Sequence, residues 1–163
     1  MKERGITTMC FDRAVVSTPE TGVSLETPGR RYIVHATAAQ TAGALGIWEL
    51  ILEPGRGIHI HTHTREDEVF RVLEGRFRFW CGDQTVEGGK GFTIALPRHV
   101  RHGFHNTGET QGHLLGFVTP GGFEQIFFDL EQLGTSPFEG QLTELNRKYG
   151  LVGHGPPPEQ ESD

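Results

Sequence analysis

The sequence predicts an all-β protein, an antiparallel sandwich or barrel followed by two short helices. Three observations carry this reading. Between Arg31 and Pro120 the chain breaks into short runs of four to eight residues with alternating apolar and polar side chains, rich in branched and aromatic types. Turn-forming pairs such as Pro54-Gly55, Glu74-Gly75 and Gly82-Asp83 separate the runs, and glycine reaches 23 of 163 residues, about twice the ~7% of an average protein. No helical period interrupts the runs before Pro120, so no crossover helices are available and the strands must pair antiparallel.

Residues 1–30 are mixed and polar, with turn signals at Thr18-Pro19 and Thr27-Pro28-Gly29, and read as an N-terminal arm holding one or two short strands. The β-domain, 31–120, has runs at 32–36, 45–52, 58–64, 68–73, 77–81, 85–87, 92–96, 100–105 and 113–118. After Pro120 the period changes. Phe123, Ile126, Phe127, Leu130 and Leu133 recur at helical spacing, which predicts a helix over 121–133. Phe138, Leu142, Leu145 and Tyr149 repeat the pattern. Ser136-Pro137-Phe138-Glu139 opens this second helix as a capping box with proline at the first helical position, and Gly150 ends it. The two helices occupy 121–150. Residues 151–163, with Pro156-Pro157-Pro158 and an acidic end, read as a disordered tail.

The length suits one domain. Lys and Arg number 15 against 21 Asp and Glu, a net charge of -6, which repels phosphate backbones and anionic lipid. Neither nucleic acid nor a membrane is therefore expected as a partner. The two C-terminal helices could imitate a helix-turn-helix, but Glu124, Asp129, Glu131, Glu139 and Glu144 outnumber Arg147 and Lys148 there. No apolar run approaches the ~20 residues of a membrane span, and Met1-Lys2-Glu3-Arg4 leads into no signal sequence. Cys10 and Cys81 are isolated, which fits a reduced compartment, so a cytoplasmic location is expected.

Histidine carries the chemical signal. Nine occur, and seven of them fall between His59 and His113. Strand alternation would place His59, His61 and His63 on one face, with Ile58, Ile60 and Thr62 on the other. Imidazoles at i and i+2 can grip one ion. Glu68 opens the next strand and offers a carboxylate, and His99, His102 and His105 are available as a distant fourth ligand. Such a set suits Mn, Fe, Co, Ni, Cu or Zn and poorly suits Ca or Mg. The ordinary alternative is a solvated sheet face, but Ile58, Ile60 and Thr62 make a weak core stripe for the opposite side. Other devices are absent: no GxSxG occurs, the serines lie outside the histidine cluster, and Gly88-Gly89-Lys90-Gly91 lacks the Ser or Thr of a phosphate loop.

The chain resembles the cupin family, whose two blocks are G(x)5HxH(x)4E(x)6G and G(x)5PxG(x)2H(x)3N. Here Gly55, His61, His63, Glu68 and Gly75 match the first, and Gly91, Pro97, His102 and Asn106 match the second. His99 stands where the family has glycine, and a histidine there bears a cost if φ is positive. The blocks and their connecting strands cover about 43–119. The resemblance implies a double-stranded β-helix, a jelly-roll-like antiparallel barrel, with one divalent transition metal held by His61, His63, Glu68 and His102. By alternation His105 turns away from the ion. It joins His35, His113 and His154 as a structural or surface histidine. Phe70 shares a face with Glu68 and Phe104 with His102, while Phe79 lies on the Phe77-Phe79-Cys81 stripe. With His59 these three phenylalanines are the candidate pocket residues. They read first as barrel core, and otherwise as an apolar cup for a small ring-shaped substrate.

Among cupins the sequence is most similar to the small single-domain group related to quercetin dioxygenases, through Trp48-Glu49-Leu50 before Pro54-Gly55 and through the 118–124 run. That likeness implies O2-dependent cleavage of a flavonol or another enol-bearing ring, with Glu68 as ligand and as catalytic base. The alternatives are a metal-dependent isomerase or decarboxylase, and a non-catalytic small-molecule-binding module. Barrels of this family often pair through outer sheet faces. Ile47 and Ile51, opposite the Trp48-Leu50-Leu52 stripe, lead to the expectation of a homodimer.

Overall fold

The structure, a computed structural model, describes residues 11–134 and 139–157. In chain order these form β1 (Val23–Thr27), β2 (Arg30–Ala36), β3 (Gly46–Leu52), β4 (Gly57–His63), β5 (Asp67–Glu74), β6 (Arg76–Cys81) and β7 (Gln84–Gly89). There follow β8 (Thr93–Leu96), β9 (His102–Asn106), β10 (Gly112–Thr119), α1 (Gln125–Gln132), α2 (Glu139–Lys148) and β11 (Leu151–Gly155). The strands make two antiparallel sheets, ordered β1-β2-β3-β10-β5-β8 and β11-β4-β9-β6-β7. Neighbours distant in sequence, β3 with β10 and β4 with β9, wind the chain between the sheets as a double-stranded β-helix. None of the helices among the described residues is long and apolar enough to cross a membrane.

Alternation builds the core. On β3, Trp48, Leu50 and Leu52 point in and are fully buried, while Ile47, Glu49 and Ile51 take the outer face, each half-buried. Between His35 and His113, Glu49 is shared, accepting from both rings at 3.1 and 2.7 Å. Phe70, Phe77, Phe79 and Phe104 close the barrel interior with ring centroids 4.8–6.5 Å apart, each burial worth on the order of 1.5–3 kcal/mol. Gly116 lies where these layers meet, since a Cβ there would stand 2.8 Å from both the Trp48 and Phe70 rings.

Two features differ from the sequence expectation. The helix expected over 121–133 spans only Gln125–Gln132, because the chain at Gly122, with φ 131, lies outside the helical region; its N-cap is Glu124. Its carboxylate is 1% exposed and accepts the N–H groups of Ala38 (2.6 Å) and Gly122 (2.7 Å), clamping two loops together. The expected disordered tail is also corrected in part: Leu151–Gly155 forms β11 along the edge of β4. Gly150, at φ 69, turns the chain out of α2, and the Gly150 carbonyl accepts the Thr64 hydroxyl at 2.8 Å. The added strand covers backbone groups that β4 would otherwise leave unpaired. The capping box at 136–138, the arm residues 1–10 with Cys10, and 158–163 lie outside the described residues.

The turn before β9 adopts the glycine conformation that the family blocks imply. His99 has φ 66, and Val100 N–H reaches the Pro97 carbonyl at 3.4 Å. Arg98 fastens the turn to β5, donating from its backbone N–H and from the guanidinium to Asp67 at 2.8–3.0 Å. These hydrogen bonds hold the Asp67 carboxyl down at about 2. A left-handed residue with a Cβ costs roughly 1–2 kcal/mol, and glycine returns part of that as unfolded-state entropy. His99→Gly is expected to raise stability by roughly 0.5–1 kcal/mol in a urea titration, with bound metal unchanged. A lowered midpoint would mean that the imidazole makes contacts worth more than the strain.

Candidate metal centre

On β4 the simple alternation of the sequence breaks once. Ile58 pairs with Phe104 and His61 with His102, so His59 and Ile60 together oppose only Gly103. This β-bulge turns Ile58 inward beside Phe104 and still aims His61 and His63 inward with His102. The expected shared face of His59, His61 and His63 is thereby corrected: the His59 side chain is exposed. Gly103 permits the bulge, since a Cβ there would stand 2.8 Å from the Ile58 carbonyl oxygen.

His59 contributes its backbone instead. Its carbonyl accepts the Nδ1–H of His61 at 2.8 Å, and the Val100 carbonyl accepts that of His102 at 2.9 Å. Because a carbonyl only accepts, both rings carry their proton on Nδ1 and offer the Nε2 lone pair inward. His63 Nδ1 faces the Glu66 carboxylate at 3.4 Å, a carboxylate–histidine pairing that orients the ring and raises its basicity. Glu66 is 5% exposed and was not legible as a site residue, although it lies three positions after His63 in the acidic run 66–68.

The inward atoms converge. Glu68 Oε2 stands 3.4 Å from His102 Nε2 and 3.9 Å from His63 Nε2, and the ligand atoms of His61, His63, Glu68 and His102 all lie within 4.8 Å of one another. The Nε2 atoms of His63 and His102 and Oε2 of Glu68 are buried without a hydrogen-bond partner. Each such orphan costs on the order of 1–3 kcal/mol, so a cluster of them facing one point calls for a cation. These residues fit a transition metal: imidazole nitrogens with one carboxylate are its preferred donors, and two bonds of about 2.0–2.2 Å span the 3.4 and 3.9 Å from Glu68 Oε2 to the His102 and His63 nitrogens. Burial pushes His61 down to about 4, so its ring is neutral in ordinary buffers. Burial opposes the Glu68 charge, but His63, His102 and His61 outweigh it and hold the carboxyl below its usual range. His63 rises despite its burial, because Glu68 and Glu66 face it.

The centre opens onto a cavity of about 330 Å³. Trp48, Phe70 and Phe104 form its barrel wall, and Phe123, Ile126 and Phe127 roof it. Phe127 stacks on Tyr32 with centroids 4.2 Å apart, and Phe123 meets the edge of the His63 ring at 4.4 Å. Of the candidate pocket residues, Phe70, Phe104 and His59 border this cavity. Phe79 lies one layer behind, fully buried against Phe104 at 5.6 Å and Phe92 at 5.9 Å, because β6 pairs on the far side of β9. His105 points from the other face of β9 and is not among the four converging residues.

Residues 48–118 match the family described as Cupin domain. They are a cupin domain. Among curated relatives, the chain is similar to Protein SchB of Streptomyces halstedii, 30% identical over 91 residues, covering 56% of this chain and 64% of SchB. It is also similar to quercetin 2,3-dioxygenase of Aspergillus japonicus, 30% identical over 79 residues, 45% of this chain and 22% of that enzyme. The chain thus spans less than two thirds of either relative. A solved RmlC-like cupin from Shewanella frigidimarina shares the fold at TM-score 0.57 and 21% identity, covering 66% of this chain and 92% of its own.

Elemental analysis of purified variants tests the ligand set. His61→Ala and His102→Ala are expected to lose most bound transition metal, and His105→Ala to keep it. Glu66→Gln should weaken metal binding by roughly 10–100-fold through His63, the scale of a lost outer partner. Equal metal content in all four variants would overturn the assignment.

Proposed function

We propose that this cupin is a metal-dependent dioxygenase acting on an enol-bearing ring, of which a flavonol is one example. The observation that carries the reading is the convergence of three imidazoles and Glu68 on the floor of an aromatic-walled cavity sized for one small molecule. The likeness to quercetin 2,3-dioxygenase, though it covers 22% of that enzyme, supports the same class. A divalent transition metal, when bound, would supply Lewis acidity toward an enol oxygen and electron transfer to dioxygen.

The chain's own residues do the rest. The backbone carbonyls of His59 and Val100 hold the His61 and His102 rings in the ligating tautomer. Trp48, Phe70 and Phe104 hold a flat ring against the centre and keep water from it. Glu68, held ionised in a dry site, takes the enol proton on a carboxylate oxygen. The enol O–H bond breaks, its electron pair stays on the substrate oxygen, and dioxygen, the oxidant, contributes both atoms to the ring-opened product.

Oxygen uptake against a panel of flavonols and other enols, at matched metal occupancy, tests this. Wild type is expected to consume oxygen, and Glu68→Gln to lose about 10²-fold or more in turnover, the scale of a lost general base, while keeping part of its metal. Equal turnover in both would remove Glu68 as the base. Ligand binding without oxygen uptake by either form would favour a binding module.

A further inference from the structure

Arg30 is a charged group on the wall of a largely apolar chamber. Alternation on β2 turns Arg30, Tyr32 and Val34 inward, so the guanidinium borders the same cavity as His61 and Glu68. Its Nη2 donates to the Gly57 carbonyl at 2.7 Å, at the start of the bulged strand. Its Nε–H is buried and has no partner. Among the described residues no carboxylate forms an ion pair with it; the carboxylates nearest the cavity floor, Glu66 and Glu68, face the histidines instead. A buried guanidinium N–H without an acceptor is costly, and an anionic oxygen would satisfy it best. Beside it stands the Tyr32 hydroxyl, on a side chain 3% exposed. Arg30 meets β4 at Gly57 and the metal ligands begin at His61, four residues on, a separation of roughly 10–13 Å along the strand.

We propose that the cavity takes an aromatic acid: a flat molecule of two or so fused rings whose phenol or enol oxygen meets the metal centre and whose carboxylate is received at the other end by Arg30 and Tyr32. The proposal rests on the reading of the cavity as the substrate site and narrows its substrate class. Arg30 sets specificity here. The guanidinium offers its free Nε–H and a positive charge, and the tyrosine hydroxyl offers a further donor. The aromatic walls accept the ring faces between the two ends.

Calorimetric titration of protein loaded with Ni2+ separates the two ends with matched probes, 6-hydroxy-2-naphthoate and 2-naphthol. Wild type is expected to bind the acid tighter by about tenfold or more, the scale of a hydrogen bond to a charged group. Arg30→Gln should bring that ratio close to one while leaving 2-naphthol affinity within a few-fold, and Arg30→Lys should restore part of the preference. An equal ratio in wild type and Arg30→Gln, or no preference in wild type, would overturn the proposal and leave the cavity reading standing. If wild type bound neither probe, the cavity reading and the proposal would fall together.

Discussion

Three imidazole nitrogens and one carboxylate are aimed at one another in the driest part of the barrel, and they cannot satisfy each other. Two of the rings have their Nδ1 protons committed to backbone carbonyls, so their Nε2 atoms can only accept. Glu68, ionised, also only accepts. Acceptors that face acceptors inside a low-dielectric core need a cation between them. Much of the surrounding architecture follows from holding that arrangement. The bulge on β4 aims His61, Gly103 makes room for the bulge, the Asp67–Arg98 pair fastens the turn that leads into His102, and Glu66 orients His63.

Strand spacing made His61, His63 and Glu68 legible as a group, and the resemblance to the cupin family singled out His102 from His99 and His105. His61 and His63 alternate on one strand, Glu68 is the second residue of the next, and His102 arrives on β9 directly opposite His61. The same logic misplaced His59, because a bulge depends on what the partner strand carries. Nothing around residue 59 announces that a glycine, Gly103, will sit opposite it. Glu124 was unreadable for a related reason. In sequence it is one acid among several, and only the fold brings the backbone N–H groups of Ala38 and Gly122 to it. The β11 strand carries two glycines in five residues and little alternation, so its strand character comes from the exposed edge of β4 more than from its own residues.

The helical period after Pro120 announced amphipathic elements but not what their apolar faces would cover. Those faces turn out to roof the metal cavity, with Phe127 on Tyr32 and Trp48 and Phe123 against His63. The barrel therefore supplies the floor and walls, and the C-terminal segment supplies the closure. The chamber is largely apolar, with the candidate ligands His61 and Glu68 on one side and Arg30 on another. That polarity pattern, more than the fold, restricts what can bind, because the same barrel hosts many chemistries.

X-ray absorption spectroscopy of the purified, metal-loaded protein examines the three-histidine, one-glutamate centre most directly. Close to one transition-metal ion per chain is expected. Its coordination shell should contain the outer-shell scattering of about three imidazoles together with a carboxylate oxygen at about 2.0–2.2 Å. Sub-stoichiometric metal, or a shell without imidazole scattering, would contradict that ligand set.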